Sequence, residues 1–524
     1  MSVLQSAPES HAPRAMPAPA GTVGRARTMS LCGLAAAPIL VEAVQLNGLP
    51  NFTIVGLPDA AVNEARERLR AGFQALNVPW PNRRLTVNLS PADVTKSGTG
   101  FDLSLAVAIF ESMGYRFAYP QAVVIGELGL DGSVRAVRGV LLAVLAASEQ
   151  GYEVAVVPKA NEREARMVGN IQVIPIYHLG QIAQLCGIPI VDIPDEPPEE
   201  ENVRSDEEST DFADVCGQEE AIAGVEVAAA GGHHVLMIGP PGIGKSMLAQ
   251  RIPAVLPDLT PQDALHVAAI ESVIGARPVT DLPIRPPLCA PHHTATIAAM
   301  VGGGTGIPRP GAITRAHAGI LFLDEYPEFA TAVIQALRQP MENGYIDIAR
   351  SRFHVRYPAR FQLIAAANPC RCGHRGDGTN QCHCTSRDNR LYELALSGPV
   401  PDRIDIQLSL RRPSRADLRR GGTITSDSIR QSIALARERQ EWRLKELPIA
   451  RNAYVSGNWL RNHTRIPTAM NDRIDHAIQC GYMSFRGVYR LLRVAWTIAD
   501  LAGHDSPSAD DISYAFALRS RSRR

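Results

Sequence analysis

Three stretches of this sequence hold residues with the types and spacing that phosphate chemistry needs. Gly239-Pro240-Pro241-Gly242-Ile243-Gly244-Lys245-Ser246 fits the pattern GxxxxGK[ST], between the apolar run Val235–Ile238 and the helix-forming Met247-Leu248-Ala249-Gln250. Glycines so spaced let backbone N–H groups curl around phosphate oxygens, and the following helix adds its positive end. Lys245 would reach β- and γ-phosphates and Ser246 would ligate Mg2+, so Gly239 through Met247 make the predicted ATP contact. Gly319-Ile320-Leu321-Phe322-Leu323-Asp324-Glu325 is an apolar strand ending in two carboxylates. There Asp324 would hold Mg2+ through water, and Glu325 would polarise the attacking water. Phe361–Pro369 is a third buried strand, ending in Asn368, whose amide can bond both the γ-phosphate and that water.

Two arginines complete this set. Arg403, in Pro401-Asp402-Arg403-Ile404-Asp405, falls between a helix and a strand, where it would lie at a subunit edge and reach a neighbour's γ-phosphate. A salt bridge to Asp402 or Asp405 is its alternative use. Arg486, in Ser484-Phe485-Arg486-Gly487, opens a C-terminal helix and is the candidate second sensor, with Arg490 one turn later as its substitute. Gln218, before the apolar-periodic helix Ala221–Ala230, is a candidate wall of the adenine pocket.

A separate cluster has metal-ligand character. Cys370-x-Cys372 and Cys382-x-Cys384 place four of the nine cysteines within fifteen residues. Four thiolates suit a structural Zn2+, although C-x-C strains both sulfurs onto one ion, with His374 and His383 as substitutes and free thiols as the alternative. The adjacent His292 and His293 diverge on a helix and point apart in a strand, so they are not read as ligands.

These residues must be positioned by α/β structure, and 524 residues allow several domains. Lys+Arg and Asp+Glu are 53 each, so any basic surface is local. No apolar run approaches the ~18 residues of a membrane span. Residues 1–22 read as a disordered extension rather than a signal peptide, and residues 191–211, rich in Asp, Glu, Pro and Ser, as a linker. Residues 23–190 read as mixed strands and helices, residues 212–411 as the nucleotide core, and residues 412–524 as a helical lid. Tyr345–Ile348 and Phe353–Arg356 read as a hairpin with Arg350, Arg352 and Arg356 at and near its tip, a basic cluster that could follow phosphates without reading sequence. The run Arg519–Arg524 reads as a frayed tail.

The phosphate loop, Asp-Glu strand, Asn-ended strand, Arg403 and helical lid together resemble an AAA+ ATPase. Arg285-Pro286-Pro287, Ala290-Pro291-His292-His293-Thr294, Val301–Gly304 and Pro308–Gly311 are similar to the magnesium-chelatase type of that core. Residues 23–190 resemble a Lon-protease-type α+β domain through Lys96–Asp102 and Gly126–Val134, but Gly98 and Leu141 fall where the Ser–Lys dyad would be. Joined, the two parts resemble the ComM/YifB family. That resemblance implies a cytoplasmic, hexameric DNA helicase of natural transformation that uses ATP and Mg2+ to migrate single-stranded or branched DNA. It also implies two insertions facing a central pore: about Ala290–Pro310, which includes both histidines, and the basic hairpin. A motor subunit for metal insertion, as in magnesium chelatase, is the alternative.

Overall fold

The structure is a computed structural model that describes residues 22–56, 59–96, 98–190, 192–196, 198, 211–275, 278–304, 308–350, 353–375, 381–396 and 400–519. The expected extension up to residue 21, most of the acidic linker, Ser97, Arg352 and the run after Arg519 lie outside the described residues. So does the side chain of Arg350.

Seven strands build the N-terminal sheet: β1 (Val23–Cys32), β2 (Ala35–Leu46), β3 (Asn51–Val55), β4 (Arg84–Ser90), β5 (Val123–Val124), β6 (Val154–Pro158) and β7 (Gln172–Ile176). Their order is β3-β4-β2-β1-β5-β6-β7, with β1 and β2 paired antiparallel over ten residues. Helix α1 (Ala60–Ala75) is capped by the Asp59 side chain, and α2 (Asp102–Ser112) is apolar all round and almost wholly buried against β1 and β2. At the start of α2, Arg68 holds Asp102 through two bonds of 2.6 and 3.0 Å. Lys96 is fully buried with its ammonium on the Pro91 carbonyl, and Leu141 is buried in α3 (Val140–Glu149).

The second sheet carries the chemistry. Strand β8 (Val235–Ile238) follows α4 (Glu219–Gly231), and the turn after β8 leads into α5 (Lys245–Val255). The remaining strands are β9 (Leu288–Cys289), β10 (Ile320–Leu323), β11 (Gln362–Ala367) and β12 (Ile406–Ser409). All are parallel, in the order β9-β10-β11-β8-β12. Covered on both faces, β8, β10 and, after Gln362, β11 are continuous apolar runs rather than alternating ones. Every residue of β10 and β11 is buried, the polar Gln362 included. The Gln362 amide donates to the carbonyls of Ala228 and His233, which ties the sheet to α4.

The parts interlock. Helix α6 (Pro261–Ile274) lays Ala268 and Ala269 against the N-terminal domain's α3, and Gly139 N donates to Ser272 O at 2.9 Å. C-terminal helices α7 (Ser426–Leu444), α8 (Phe485–Ala502) and α9 (Ala509–Arg519) share one apolar core with α4, β8 and β12. The Arg519 guanidinium reaches the carbonyls of Ile404 and Asp405, so this arginine is docked on the core rather than frayed. No helix among the described residues is long and apolar enough to cross a membrane.

One buried polar cluster fastens the helical domain to the sheet. His233 bridges Asp405 (3.3 Å) and Thr497 of α8 (2.8 Å). Burial alone would raise the Asp405 carboxyl, but the His233 hydrogen bond and the neighbouring His233, His234 and Arg490 outweigh it and hold it at about 2. A carboxyl depressed on folding stabilises above its unfolded value, near 4, and loses that contribution as pH falls through about 2. D405N should therefore cost about 2–4 kcal/mol at pH 7. In urea unfolding, the gap between D405N and the parent should narrow below about pH 4.

Candidate nucleotide site

The loop Gly239–Gly244 leaves β8 and turns sharply at Gly242 and Gly244, whose φ values of 76° and 95° favour glycine. Helix α5 begins at Lys245, so its free N–H groups face the loop. The Lys245 ammonium donates to Gly239 O at 2.6 Å, Pro240 O at 2.8 Å and Asn368 Oδ1 at 2.9 Å. Burial lowers its pKa, and the carboxylates of Asp324 and Glu325 oppose that shift. Ser246 Oγ donates to Asp324 Oδ2 at 2.7 Å, so the hydroxyl and carboxylate expected to share a Mg2+ already converge. Ile243 is buried beneath the loop and Met247 is exposed. Gln218, before α4, gives its amide to Arg411 O at 2.7 Å.

Glu325 follows β10 in a left-handed conformation, φ 51°, which a non-glycine residue adopts only where its surroundings impose it. Its Oε2 lies 3.0 Å from His293 Nδ1. The sequence analysis set His292 and His293 aside because both helix and strand would separate them. They lie instead in a turn, closed by Ala295 N donating to His292 O, and their ring centroids are 4.1 Å apart. The turn follows β9, which runs beside β10, and this adjacency in the sheet brings His293 to Glu325 across 32 positions of chain.

Arg403 and Arg486 are not beside the phosphate loop. Val235 pairs with Ile406, so the segment before β12 lies at the start of β8 and the phosphate loop at its end. Four strand residues, roughly 13 Å, separate the two. Arg403 forms an ion pair with Glu342 rather than with Asp402 or Asp405, which Arg490 takes at 3.4 and 3.8 Å. Burial lowers the Arg403 pKa, and Arg338, Arg490 and Arg486 add to the fall. Arg403, Arg486, Arg490 and Arg493 line one cavity of about 380 Å3 with Glu342 and Asp405. The lid expected over the loop thus brings Arg486 to the opposite end of the sheet, because α8 packs on α4 and carries its N-terminus to the His233–Asp405 side.

The four thiols of the Cys370–Cys384 loop converge beside the phosphate loop. Their sulfurs all lie within 4.8 Å of one another, with Cys370 to Cys372 at 3.3 Å, Cys372 to Cys382 at 3.6 Å and Cys370 to Cys382 at 3.8 Å. A zinc tetrathiolate has sulfur edges of about 3.8 Å around an ion ~2.3 Å from each, whereas a disulfide is ~2.05 Å. The donors fit Zn2+. Close C-x-C spacing is accommodated because Gly373, φ 83°, turns the chain back and donates its N–H to Cys370 O. Gly373 packs directly on Pro241 of the phosphate loop.

A second group, Asp263, His266 and His317, has ligand atoms equally close. It does not suit a cation. His317 Nδ1 accepts from Arg360 N, so the neutral ring keeps its proton on Nε2, and the Arg360 guanidinium already neutralises Asp263 at 2.7 Å.

The expected hairpin forms from β13 (Tyr345–Arg350) and β14 (Phe353–Pro358). Arg356 is less available than its sequence suggests, since Asp347 is directly opposite in register and takes it at 2.8 Å. The Arg356 guanidinium also lies over the Tyr345 ring, 4.1 Å from its centroid.

Residues 211–418 match the family described as magnesium chelatase, subunit ChlI; residues 41–161 match subunit ChlI of Mg-chelatase; residues 423–519 match the ChlI C-terminal family. An uncharacterized protein of Mycobacterium tuberculosis is 42% identical over 507 residues, covering 95% of this chain and 98% of its own. YifB of Escherichia coli is 37% identical over 503 residues, 95% of this chain and 97% of that one. Competence protein ComM of Haemophilus influenzae is 35% identical over 497 residues, 94% and 96% respectively.

The cysteine geometry makes one prediction. Freshly reduced protein should contain about one zinc per subunit. C382S should lose most of it in elemental analysis, and a zinc content unchanged by that substitution would remove these thiols from the site.

Proposed function

Because the chain belongs to the ComM/YifB family of magnesium-chelatase-like proteins, we propose that it is a ring-forming, ATP-driven DNA motor. The observation that carries this reading is the split arrangement of the charged groups. Lys245, the Ser246–Asp324 pair, Glu325 and Asn368 gather at one end of the sheet, and Arg403 and Arg486 gather at the other. A subunit cannot bring its own Arg403 to its own phosphate loop across a strand's length. The arginines become useful only when a second copy presents its loop to them.

In this reading ATP lies along Gly239–Met247, with Gln218 near the base. The Lys245 ammonium exchanges loop carbonyls for phosphate oxygens, and Ser246 and Asp324 hold Mg2+. Glu325 polarises water, Asn368 orients it against the γ-phosphate, and the neighbour's Arg403, with Arg486 beside it, neutralises charge developing in the transition state. Zinc at Cys370, Cys372, Cys382 and Cys384 would brace the loop that packs on Pro241. Hydrolysis moves the two insertions, and Arg350, Arg352 and Arg356 contact single-stranded or branched DNA in a hexameric pore. The competence label on the Haemophilus relative supports a role in DNA uptake or recombination inside the cell.

A second reading, an ATPase motor for metal insertion by a partner, is favoured by the ChlI families that match all three parts of the chain. ATP-dependent branch migration or strand displacement on forked DNA, with binding that falls steeply as salt rises, separates the two. No DNA binding at low salt would leave the second.

Subunit mixing tests the shared site. K245A and R403A should each be nearly inactive alone, E325Q should retain ATP but hydrolyse it about 10²–10⁴-fold more slowly. Mixed K245A and R403A subunits should recover ATPase activity, because some junctions pair an intact loop with an intact Arg403. Absence of recovery in mixed assemblies would refute the trans assignment.

A further inference from the structure

Arg411, Arg412, Arg415, Arg419 and Arg420 fall within one short segment whose side chains the nucleotide site does not use. All five are exposed, and none forms a salt bridge with a carboxylate among the described residues. Asp417, the one carboxylate in the segment, is turned to Ser414, accepting from its N–H at 2.9 Å in the capping box that starts helix α10 (Arg415–Arg420). Its hydrogen bonds with Ser414, and after them the Arg420 charge, lower its pKa. The segment rests on a fixed support. Gln218 gives its amide to Arg411 O at 2.7 Å, Leu410 N donates to Ile238 O at 2.8 Å, and a Cβ at Gly217 would lie against Pro413 and Asp417. Five like charges held so close repel one another, a cost that an incoming polyanion would remove.

The segment follows β12, so it lies at the phosphate-loop end of the sheet, whereas the basic hairpin runs into the start of β11 at the other end. The length of β11, about 20 Å, separates the two levels. Basic surfaces at opposite ends of one sheet suit a branched substrate, which has more than one arm to hold. Residues 411–420 include no aromatic side chain on which an unpaired base could stack. Their guanidinium groups suit phosphates displayed along a duplex, where charge is denser than on a single strand. Helix α10 is about 9 Å long, the reach of about three nucleotides of one strand. We propose that residues 411–420 are a second DNA-binding surface, which grips the backbone of a duplex arm without reading its sequence. This rests on the reading of the chain as a DNA motor.

Fluorescence anisotropy with the full-length protein over a range of salt concentrations tests it, with blunt duplex, single-stranded and forked DNA of unrelated sequences as probes. R415A/R419A should weaken duplex binding about tenfold and lower the slope of log affinity against log salt by about two, the worth of two phosphate contacts. The loss should be the same for every duplex sequence and smaller for single strands. R415K/R419K, which keeps both charges, should retain the parent's slope. Parent-like duplex affinity and slope in R415A/R419A overturn the proposal and leave the surface to an acidic protein partner. A slope that falls as far in R415K/R419K as in R415A/R419A also overturns it, because lost charge is then not the cause. So does a single-strand loss as large as the duplex loss. Failure of the underlying reading looks different: the parent then binds none of these DNAs at low salt, and the proposal falls with it.

Discussion

The register of β8 between β11 and β12 is the constraint on which the rest of the molecule depends. Val235 faces Ile364 on one side and Ile406 on the other, and the pairing runs on without offset to Ala367 and Ser409. Because all five strands are parallel, whatever follows them gathers at one end, and whatever precedes them gathers at the other. Lys245 can therefore bond Asn368 across 123 positions of chain, and Ser246 can meet Asp324 across 78. The same rule consigns Arg403 to the far end. Open parallel sheets place ligands beyond their strands' carboxyl ends, the end that Lys245, Ser246, Asp324 and Asn368 share.

Much of this was legible because the signals were local. The phosphate loop needs glycines, a lysine and a hydroxyl at fixed offsets, and the flanking strand and helix announce themselves by composition. The strand ends at Asp324 and Asn368 were legible for the same reason. What escaped was set by pairing between distant segments. His293 meets Glu325 only because β9 lies beside β10, and Arg403 meets Glu342 rather than either flanking aspartate. Strand β1 lies at the centre of the N-terminal sheet yet carries little sequence signal. Its buried face includes Thr28 and Ser30, so the apolar alternation that betrays a strand is weak. Ser30 is tolerated there because its hydroxyl donates to Thr95 O at 2.8 Å. Register likewise puts Asp347 opposite Arg356, a pairing that the hairpin's composition alone does not reveal.

Among the described residues, the N-terminal domain packs on the core at helix α6 and at the basic hairpin. Helix α6 buries Ala268 and Ala269 against it, and the turn at Gly33 packs on Val355 and Tyr357 of the basic hairpin. A displacement of the hairpin is thus felt by the N-terminal sheet as well as by the first insertion. Packed interiors transmit such shifts because they have few voids to absorb them. The N-terminal domain thus has a mechanical position, seated behind the segments proposed to touch DNA.

The arginine group at the far end of the sheet makes the same case from electrostatics. Arg338, Arg490 and Arg486 all depress the Arg403 pKa, so each guanidinium raises the cost of its neighbours' charge. Glu342, Asp402 and Asp405 offset part of that cost, and Asp405 does so from full burial. Arg486 remains exposed beside them. A cation cluster held partly out of water by its own fold interacts more strongly with an incoming anion than the same charges spread over solvent would. Phosphates arriving from a second copy would be such an anion. Partial burial of Arg403 next to an exposed Arg486 therefore favours a site completed by assembly, with bound nucleotide strengthening the junction it occupies.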